Sequence, residues 1–138
     1  MPAQPIRPAR VFVVHEPLKK VLDDSAEGFH WERTRDLTPA REYGDLIYVF
    51  PAGHLSYDQD YLNNTAREKL ATFTDQDYLL MSGDTLAMAQ TAIVASQCLD
   101  ESVRDLKLLI WDGKRKRYFC QPIWAWPEED EVEDLTDG

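Results

Sequence analysis

The residues best suited to chemistry form the short loop Ser82, Gly83, Asp84 and Thr85, which lies between an apolar run and an Ala-rich segment. A small loop that opens onto a helix N-terminus exposes backbone N–H groups that suit an anion such as phosphate. Asp84 opposes this because a carboxylate at the N-cap satisfies those donors and repels phosphate. The loop also lacks the G-x-G-x-x-G fingerprint and the Walker lysine. Two interpretations therefore stay open, a phosphate site and an ordinary helix cap.

His54 and Asp112 are polar residues that follow two other apolar runs. If neighbouring strand ends bring His54, Asp84 and Asp112 together, the trio suits acid–base or metal chemistry. Polar residues at strand ends are common in such sheets, so no catalytic role follows from their position. We therefore treat these residues only as candidates for binding a ligand: His54, Ser82, Gly83, Asp84, Thr85 and Asp112.

The two cysteines, Cys98 and Cys120, have no Cys or His partner close by in the sequence. Zinc sites use closely spaced ligand pairs such as C-x2-C, and redox sites use C-x-x-C. We therefore expect two buried, reduced thiols, no metal site and no cofactor.

Short β-branched and aromatic runs predict the strands that position these loops. Arg10 to His15 predicts one strand. Three continuous apolar runs, at Asp45 to Phe50, Tyr78 to Met81 and Leu106 to Trp111, are typical of central strands covered on both faces. Asp112-Gly113 predicts a turn, after which Arg117 to Ile123 returns antiparallel, and Pro122 places this last strand at an edge of the sheet.

Two segments between these runs have helical patterns. Ser56 and Gln59 have capping-box spacing ahead of an amphipathic segment of roughly four turns that extends to Phe73. Asp84 is suited to cap a helix over Thr85 to Gln97, which is apolar on nearly every side. We expect this second helix to be the most buried in the chain, packed on the sheet and covered elsewhere.

The segment from Glu16 to Gly44 has an irregular pattern. A hairpin around Ala26 to Gly28 would place Phe29 and Trp31 on a sheet edge or over the core, and Thr38 to Glu42 favours one helical turn that Gly44 ends. Strands that alternate with helices at this spacing predict right-handed crossovers and a mostly parallel sheet. The predicted fold is a small Rossmann-like α/β domain over residues 1–126, with an extended leader at 1–9 and a C-terminal antiparallel hairpin.

The net charge of -10 is concentrated at the C-terminus. Residues 127–138 hold seven acidic side chains and no basic one, so the rest of the chain carries 18 acids against 15 bases. Such a block buries too little surface to offset its ordering entropy, which predicts a disordered tail. The tail is either a solubilising appendage or a mimic of phosphate charge that occupies a basic surface of a partner protein. We expect no direct binding to nucleic acid.

Trp124 and Trp126 are predicted to leave the sheet just before this tail. Aromatic side chains flanked by charge suit a protein interface, although both can also cover the sheet edge. No apolar run approaches the roughly 18 residues of a membrane span, and no secretion signal is evident, so we expect a cytoplasmic protein. The oligomeric state stays open. The candidate residues for protein interaction are Trp124, Trp126, Glu128, Glu129, Asp130 and Glu131.

Three stretches carry a resemblance to a known group: EYGDLIYVFPAG, REKLATFTDQDYLLMSGDTLAMA and LKLLIWDGKRKRYFCQPI. Together they resemble small proteins without an assigned activity that are encoded in bacteriophage and prophage genomes. The resemblance covers Val11 to Ile123 and omits the tail, and the matching positions include Gly44, Gly83, Asp84, Trp111 and Asp112. It implies a phage origin and a host-cytoplasm setting, and it brings no catalytic residues.

These observations favour a non-enzymatic phage accessory protein that binds another protein of the host or the phage, with its acidic tail competing for a basic surface. Two alternatives stay open. One is a Rossmann-like nucleotide- or phosphate-binding protein or small enzyme, and the other is a virion or assembly component.

Overall fold

The computed structural model describes residues 8–100, 102–103 and 105–125. Most of the leader, Trp126 and the acidic segment 127–138 lie outside these residues. Within them the chain forms a 3-10 helix at Thr38–Tyr43, seven β-strands and two α-helices. These are β1 (Arg10–Val13), β2 (Leu18–Leu22), β3 (Phe29–Arg33), β4 (Asp45–Tyr48), α1 (Gln59–Lys69), β5 (Tyr78–Leu80), α2 (Thr85–Cys98), β6 (Asp105–Asp112) and β7 (Arg117–Trp124).

Five strands form one sheet in the order β4-β1-β5-β6-β7. β4, β1, β5 and β6 run parallel, and β7 pairs antiparallel with β6. The predicted α/β architecture, the mostly parallel sheet and the C-terminal hairpin are confirmed. The central position predicted for Asp45 to Phe50 is wrong, because β4 lies at the edge of the sheet with Leu46, Ile47 and Tyr48 only partly buried. Side chains of this apolar run pack on both faces of the sheet, but β4 pairs with a neighbouring strand, β1, on one side only.

Alternate side chains of β1 point to opposite faces of the sheet and build two separate cores. Phe12 and Val14 pack with α1 and α2 on one face. Val11 and Val13 pack on the other face with Leu37 and Ala40, which belong to the 3-10 helix and its approach. Both α-helices therefore lie on the same face, while an irregular segment covers the opposite one.

α1 begins two residues later than the predicted capping box places it. Asp58 is the N-cap, and its carboxylate accepts a hydrogen bond from the backbone N–H of Asp60. Ser56 lies before the helix, where its hydroxyl accepts from the N–H of Asp58. A carboxylate at position 58 thus takes the role predicted for Ser56, and the helix spans about three turns instead of four.

α2 is capped by Asp84 as predicted, with the carboxylate accepting from the N–H of Ala87 at 3.0 Å. The prediction that this helix is covered on all sides is wrong. Only its inner face reaches the sheet, whereas Leu86 and Ile93 on the outer face are about half exposed. Among the described residues no second layer lies over the helices, so an apolar composition alone did not indicate burial on every side.

β2 and β3 form a hairpin that is a two-stranded sheet of its own. The hairpin predicted around Ala26 to Gly28 is therefore confirmed, and so is the helical turn that Gly44 ends. Strand alternation places Leu18, Lys20 and Leu22 on one face of the hairpin together with Phe29, Trp31 and Arg33.

β7 is an edge strand, as Pro122 indicated. Pro122 has no N–H to offer a further strand, its carbonyl accepts from the side chain of Gln121, and the carbonyl of Tyr118 accepts from the hydroxyl of Tyr43. These features protect the edge from further strand pairing. The prediction that Trp124 leaves the sheet is wrong, because it is the last residue of β7 and pairs with Asp105. No helix among the described residues is long and apolar enough to cross a membrane.

Candidate functional site

The carboxyl ends of the four parallel strands lie at the same end of the sheet. The hairpin β2–β3 follows β1 at this end. Pro17 links β1 to the hairpin. On one side of Pro17 lies a cleft of about 490 Å³, here named cleft A, which is lined by Pro17, Leu18, Trp31, Ala52, Gly53 and His54. On the other side lies cleft B, of about 220 Å³, which is lined by Glu16, Pro17, Thr34, Arg35, Leu37, Ser82 and Gly83.

His15 connects the loops that follow three of the strands. Its side chain is buried, Nε2 lies 2.6 Å from the carbonyl oxygen of Gly53, and Nδ1 accepts from the backbone N–H of Asp84 at 3.1 Å. Because Nδ1 must accept, the proton sits on Nε2, which donates to Gly53. The carbonyl of His15 accepts from the hydroxyl of Ser82 at 2.8 Å. The ring is thus a structural junction with both nitrogens occupied, and its isolated position in the sequence did not indicate this role.

Asp84 has both carboxylate oxygens engaged. One accepts from the N–H of Ala87, and the other accepts from the hydroxyl of Tyr57 at 2.6 Å. The bond from Tyr57 and the bond from the helix N-terminus lower the pKa of Asp84, and the same carboxylate raises the pKa of Tyr57. The arrangement fits the ordinary helix cap of the two interpretations, because the carboxylate occupies the position that an anion would take.

His54 and Asp112 make no hydrogen bond or ion pair with Asp84 among the described residues. Asp112 accepts from the backbone N–H groups of Lys114 and Arg115 and so stabilises the β6–β7 turn. His54 is exposed on the wall of cleft A. No hydrogen bond or ion pair of the described residues joins His54, Asp84 and Asp112, and Thr85 is an exposed first residue of α2. In the described part of the chain no three His, Cys, Asp or Glu side chains are grouped to hold a metal ion.

Cleft A is walled by an aromatic side chain of the hairpin. Trp31 is 58% exposed, and its ring lies edge-on to Phe29 with centroids 5.8 Å apart. Leu22, on the same hairpin face, is 82% exposed. The ammonium group of Lys20 lies 4.1 Å from the centre of the Phe29 ring. The hairpin therefore presents an apolar and partly cationic face that the core does not use.

Cleft B combines a buried carboxylate, that of Glu16, with the exposed side chains of Thr34 and Arg35. The side chain of Glu16 is 5% exposed, and its Oε1 lies 2.9 Å from Nε of Arg33. Burial and the nearby Glu16 carboxylate raise the pKa of Tyr48. The guanidinium of Arg35 lies over the Trp111 ring, 5.5 Å from its centre. Sequence reasoning identified Ser82 and Gly83 in this cleft but missed Glu16 and Arg35, because both lie in the irregular segment after β1.

His30 bridges two carboxylates on the opposite face of the hairpin. Nε2 lies 2.7 Å from Glu32 and Nδ1 lies 2.5 Å from Asp23. The hydrogen bonds to Glu32 and Asp23 raise the pKa of His30, while bonds from Ser25 and then His30 lower the pKa of Asp23. These contacts connect Asp23, at the start of the hairpin turn, to β3.

Both cysteines are free thiols. The expected burial of Cys98 is wrong, because it is exposed at the end of α2 with Sγ 3.4 Å from the carbonyl of Leu70, and Cys120 is half-buried. Partial burial raises the pKa of both thiols, so the reactive thiolate is disfavoured at each.

Trp124 lies at the end of the sheet opposite the clefts. Its pairing with Asp105, the first residue of β6, places it at the amino edge of the parallel strands. Trp124 and the ligand candidates of the sequence therefore lie at opposite ends of the sheet. The remaining interaction candidates lie outside the described residues: Trp126, Glu128, Glu129, Asp130 and Glu131.

A comparison with family models matches residues 9–123 to the model described as phage Pam3 gp32-like protein. The chain belongs to the phage Pam3 gp32-like family. This membership confirms the resemblance to phage proteins drawn from the sequence. The family match runs from just before β1 to the penultimate residue of β7, so the phage Pam3 gp32-like region contains both clefts and excludes the acidic segment. No curated protein and no solved structure matches the chain.

Proposed function

We propose that this member of the phage Pam3 gp32-like family is a non-enzymatic accessory protein that acts by binding another protein. The contact surface in this proposal is cleft A together with the hairpin face that carries Leu22 and Trp31. One observation carries it: Trp31 is 58% exposed on the wall of a cleft of about 490 Å³. Tryptophan is among the residues that most often dominate the binding energy of protein interfaces.

The exposed apolar side chains of the hairpin support this surface. Leu22 and Trp31 lie on the same hairpin face and leave much of their apolar area in water. Each exposed apolar side chain forgoes roughly 1.5–3 kcal/mol of burial free energy, which a partner recovers by covering it. Contiguous apolar surface with a polar rim is typical of protein-binding sites on soluble domains.

The full occupation of the polar atoms of His15 and Asp84 favours binding over catalysis. Both ring nitrogens of His15 and both oxygens of Asp84 are occupied by other groups of the chain. A general acid or base must be able to reach a proton of the substrate. His15 and Asp84 instead connect the loops at the carboxyl end of the sheet, next to the hairpin.

The acidic segment 127–138 provides a second, electrostatic element of the proposal. Its seven acids against no base favour a partner with a basic surface, in the cytoplasm of a phage-infected host. Long-range attraction of this kind accelerates association and weakens as salt rises. In the proposal the hairpin supplies the specific contact, and the acidic segment supplies attraction.

A second candidate function is that of a Rossmann-like protein that binds a small molecule or nucleotide. The order β4-β1-β5-β6 of the parallel strands supports it, because doubly wound sheets with this order bind ligands at their carboxyl edge. Two features weigh against a nucleotide. Both α-helices lie on one face, and the N-terminus of α2 is capped by Asp84.

The test is a capture experiment with tagged protein in lysate of phage-infected host cells. We expect wild type to retain a defined partner, Trp31→Ala to lose it, and the matched variant Trp124→Ala at the opposite end of the sheet to keep it. Deletion of residues 127–138 should leave the partner identity unchanged and weaken capture mainly at low salt. Equal retention by Trp31→Ala and wild type would remove cleft A from the proposal. If wild type retains nothing, the binding function itself is wrong.

A further inference from the structure

We propose that cleft B binds a small zwitterion, an α-amino acid with a short apolar side chain, whose ammonium group meets Glu16 and whose carboxylate meets Arg35. This site is separate from cleft A and does not depend on the protein partner proposed above.

The first support is the position of cleft B in the sheet. β1 and β5 are neighbours in the sheet, and the connections that follow them lead in opposite directions. The connection after β1 leads to β4 on one side, and the connection after β5 leads to β6 on the other. In open α/β sheets the crevice between two such strands, beyond their carboxyl ends, is the usual ligand site. Cleft B lies at this point, because Glu16 and Pro17 follow β1 while Ser82 and Gly83 follow β5.

The second support is the buried carboxylate of Glu16. A buried charge is costly unless it is paired and hydrogen-bonded. Its ion pair is with Arg33, a side chain that is 64% exposed and approaches through Nε on Oε1. The hydroxyl of Tyr48 also hydrogen-bonds to this carboxylate. A carboxylate offers about four lone-pair positions, so positions remain for an ammonium group in the cleft.

The third support is the presentation of Arg35. Its guanidinium carbon lies 5.5 Å from the centre of the Trp111 ring, within the range of a cation–π contact. The planar guanidinium group carries N–H donors that can bind a carboxylate in a bidentate manner. Glu16 and Arg35 line the same cleft, so opposite charges of one small ligand can be met together.

A fourth support is the hydroxyl of Tyr118, which lies near both charges. Tyr118 is 1% exposed, and its hydroxyl oxygen makes no well-aligned hydrogen bond among the described residues. Burial raises the pKa of this phenol, whereas Arg35 lowers it through its charge and through a hydrogen-bond interaction with the hydroxyl. The hydroxyl therefore lies beside the guanidinium group that lines cleft B, without a fully formed hydrogen bond.

The size and lining of cleft B restrict the ligand. Its volume of about 220 Å³ equals roughly seven water molecules, below the usual range for drug-sized ligands. Nucleotides are too large for this space. Leu37 and Pro17 supply apolar surface, while the hydroxyls of Thr34 and Ser82 already donate to the carbonyls of Pro17 and His15. A short apolar side chain between two charged groups fits this lining.

The test is titration of the full chain with L-leucine, isoamylamine and isocaproate, followed by NMR of the backbone amides. L-Leucine carries both charges, isoamylamine is leucine without its carboxylate, and isocaproate is leucine without its ammonium group. We expect saturable shifts at Leu37 and Gly83 with L-leucine below about 10 mM and at least tenfold weaker binding of each single-charge compound, because each lacks one charge-assisted hydrogen bond. No saturable shift with any of the twenty L-amino acids would overturn the proposal, and so would equal binding of the three compounds.

Variants separate the two charged contacts from general damage to the fold. Arg35→Met removes an exposed side chain and should weaken L-leucine binding about tenfold or more without unfolding the protein. Glu16→Gln should have a similar effect, and a thermal melt verifies that it is folded. Trp31→Ala, which alters only cleft A, should bind L-leucine as wild type does. Unchanged binding by Arg35→Met would show that the guanidinium plays no part, and the proposal would fail whatever the outcome for cleft A.

Discussion

Gly83 lies against His15 so closely that no side chain fits between them. A Cβ placed on Gly83 would be 2.4 Å from Nδ1 of His15 and 2.5 Å from its carbonyl oxygen. Gly83 also has φ of +85°, a backbone conformation that L-residues with side chains rarely adopt. This contact lets the loop after β5 approach β1 and sets one wall of cleft B.

Substitution of Gly83 should therefore be far more damaging than substitution of a glycine with the same backbone conformation and free space. We expect Gly83→Ala to lower the free energy of unfolding by about 3 kcal/mol, from left-handed strain plus overpacking. Gly28 has φ of +83° with nothing within 4 Å of an added Cβ, so Gly28→Ala should cost only about 1 kcal/mol. Urea unfolding measures both, and equal losses would contradict the close contact with His15.

Removal of the His15 ring should expose its structural role. His15→Ala leaves the N–H of Asp84 and the carbonyl of Gly53 without their partners, which should cost about 2–4 kcal/mol. His54→Ala removes an exposed ring and should change stability by less than about 0.5 kcal/mol. Thermal or urea unfolding provides the measurement. A small effect at His15 would mean that the three loops are held together by other contacts.

Removal of two tyrosine hydroxyls should have opposite effects on the free energy of unfolding. Tyr118→Phe deletes a buried hydroxyl that makes no well-aligned hydrogen bond among the described residues, so the variant should be as stable as wild type or more stable by up to about 1 kcal/mol. Tyr43→Phe deletes a hydroxyl that donates to the carbonyl of Tyr118 at 3.1 Å, so it should lose about 1 kcal/mol. Unfolding is measured without added ligand. A clear loss in Tyr118→Phe would reveal a partner for its hydroxyl.

The cluster around His30 should make the hairpin sensitive to pH. The pKa of His30 is raised above 6.5, so its stabilising contribution is complete below pH 6.5 and is lost as pH rises through the folded-state value. The pKa of Asp23 is lowered below 3.8, so its contribution is present above pH 3.8 and is lost as pH falls through its own folded-state value. The hairpin is thus best stabilised between these limits.

NMR titration of the His30 ring protons tests this window. We expect a midpoint above 6.5 in wild type and a lower midpoint in Glu32→Gln and in Asp23→Asn, because each variant removes one hydrogen-bonded carboxylate. Addition of salt should move the wild-type midpoint in the same downward direction. A wild-type midpoint at or below 6.5 would show that the bridge is not maintained in solution.

Several elements followed from the sequence because their determinants are local. The hairpin, the helical turn before Gly44, the cap by Asp84 and the edge position of the last strand each depend on residues within a few positions of one another. Apolar runs also predicted the strands correctly, since hydrophobic periodicity is a property of short windows. The phage family was evident from stretches of this same region.

The candidate site depended on contacts that no short window contains. His15 reaches partners 38 and 69 positions away, and Trp31 and His54 face one cleft from separate segments of the chain. Apolar runs indicate that a strand or helix is buried, but they do not specify its neighbours, so β4 was placed centrally and α2 was expected to be covered. Sequence thus determined which segments are strands and helices. Tertiary packing decided the strand order, and with it which polar groups lie together at the carboxyl edge, because strand order follows from the combined packing of both faces of the sheet.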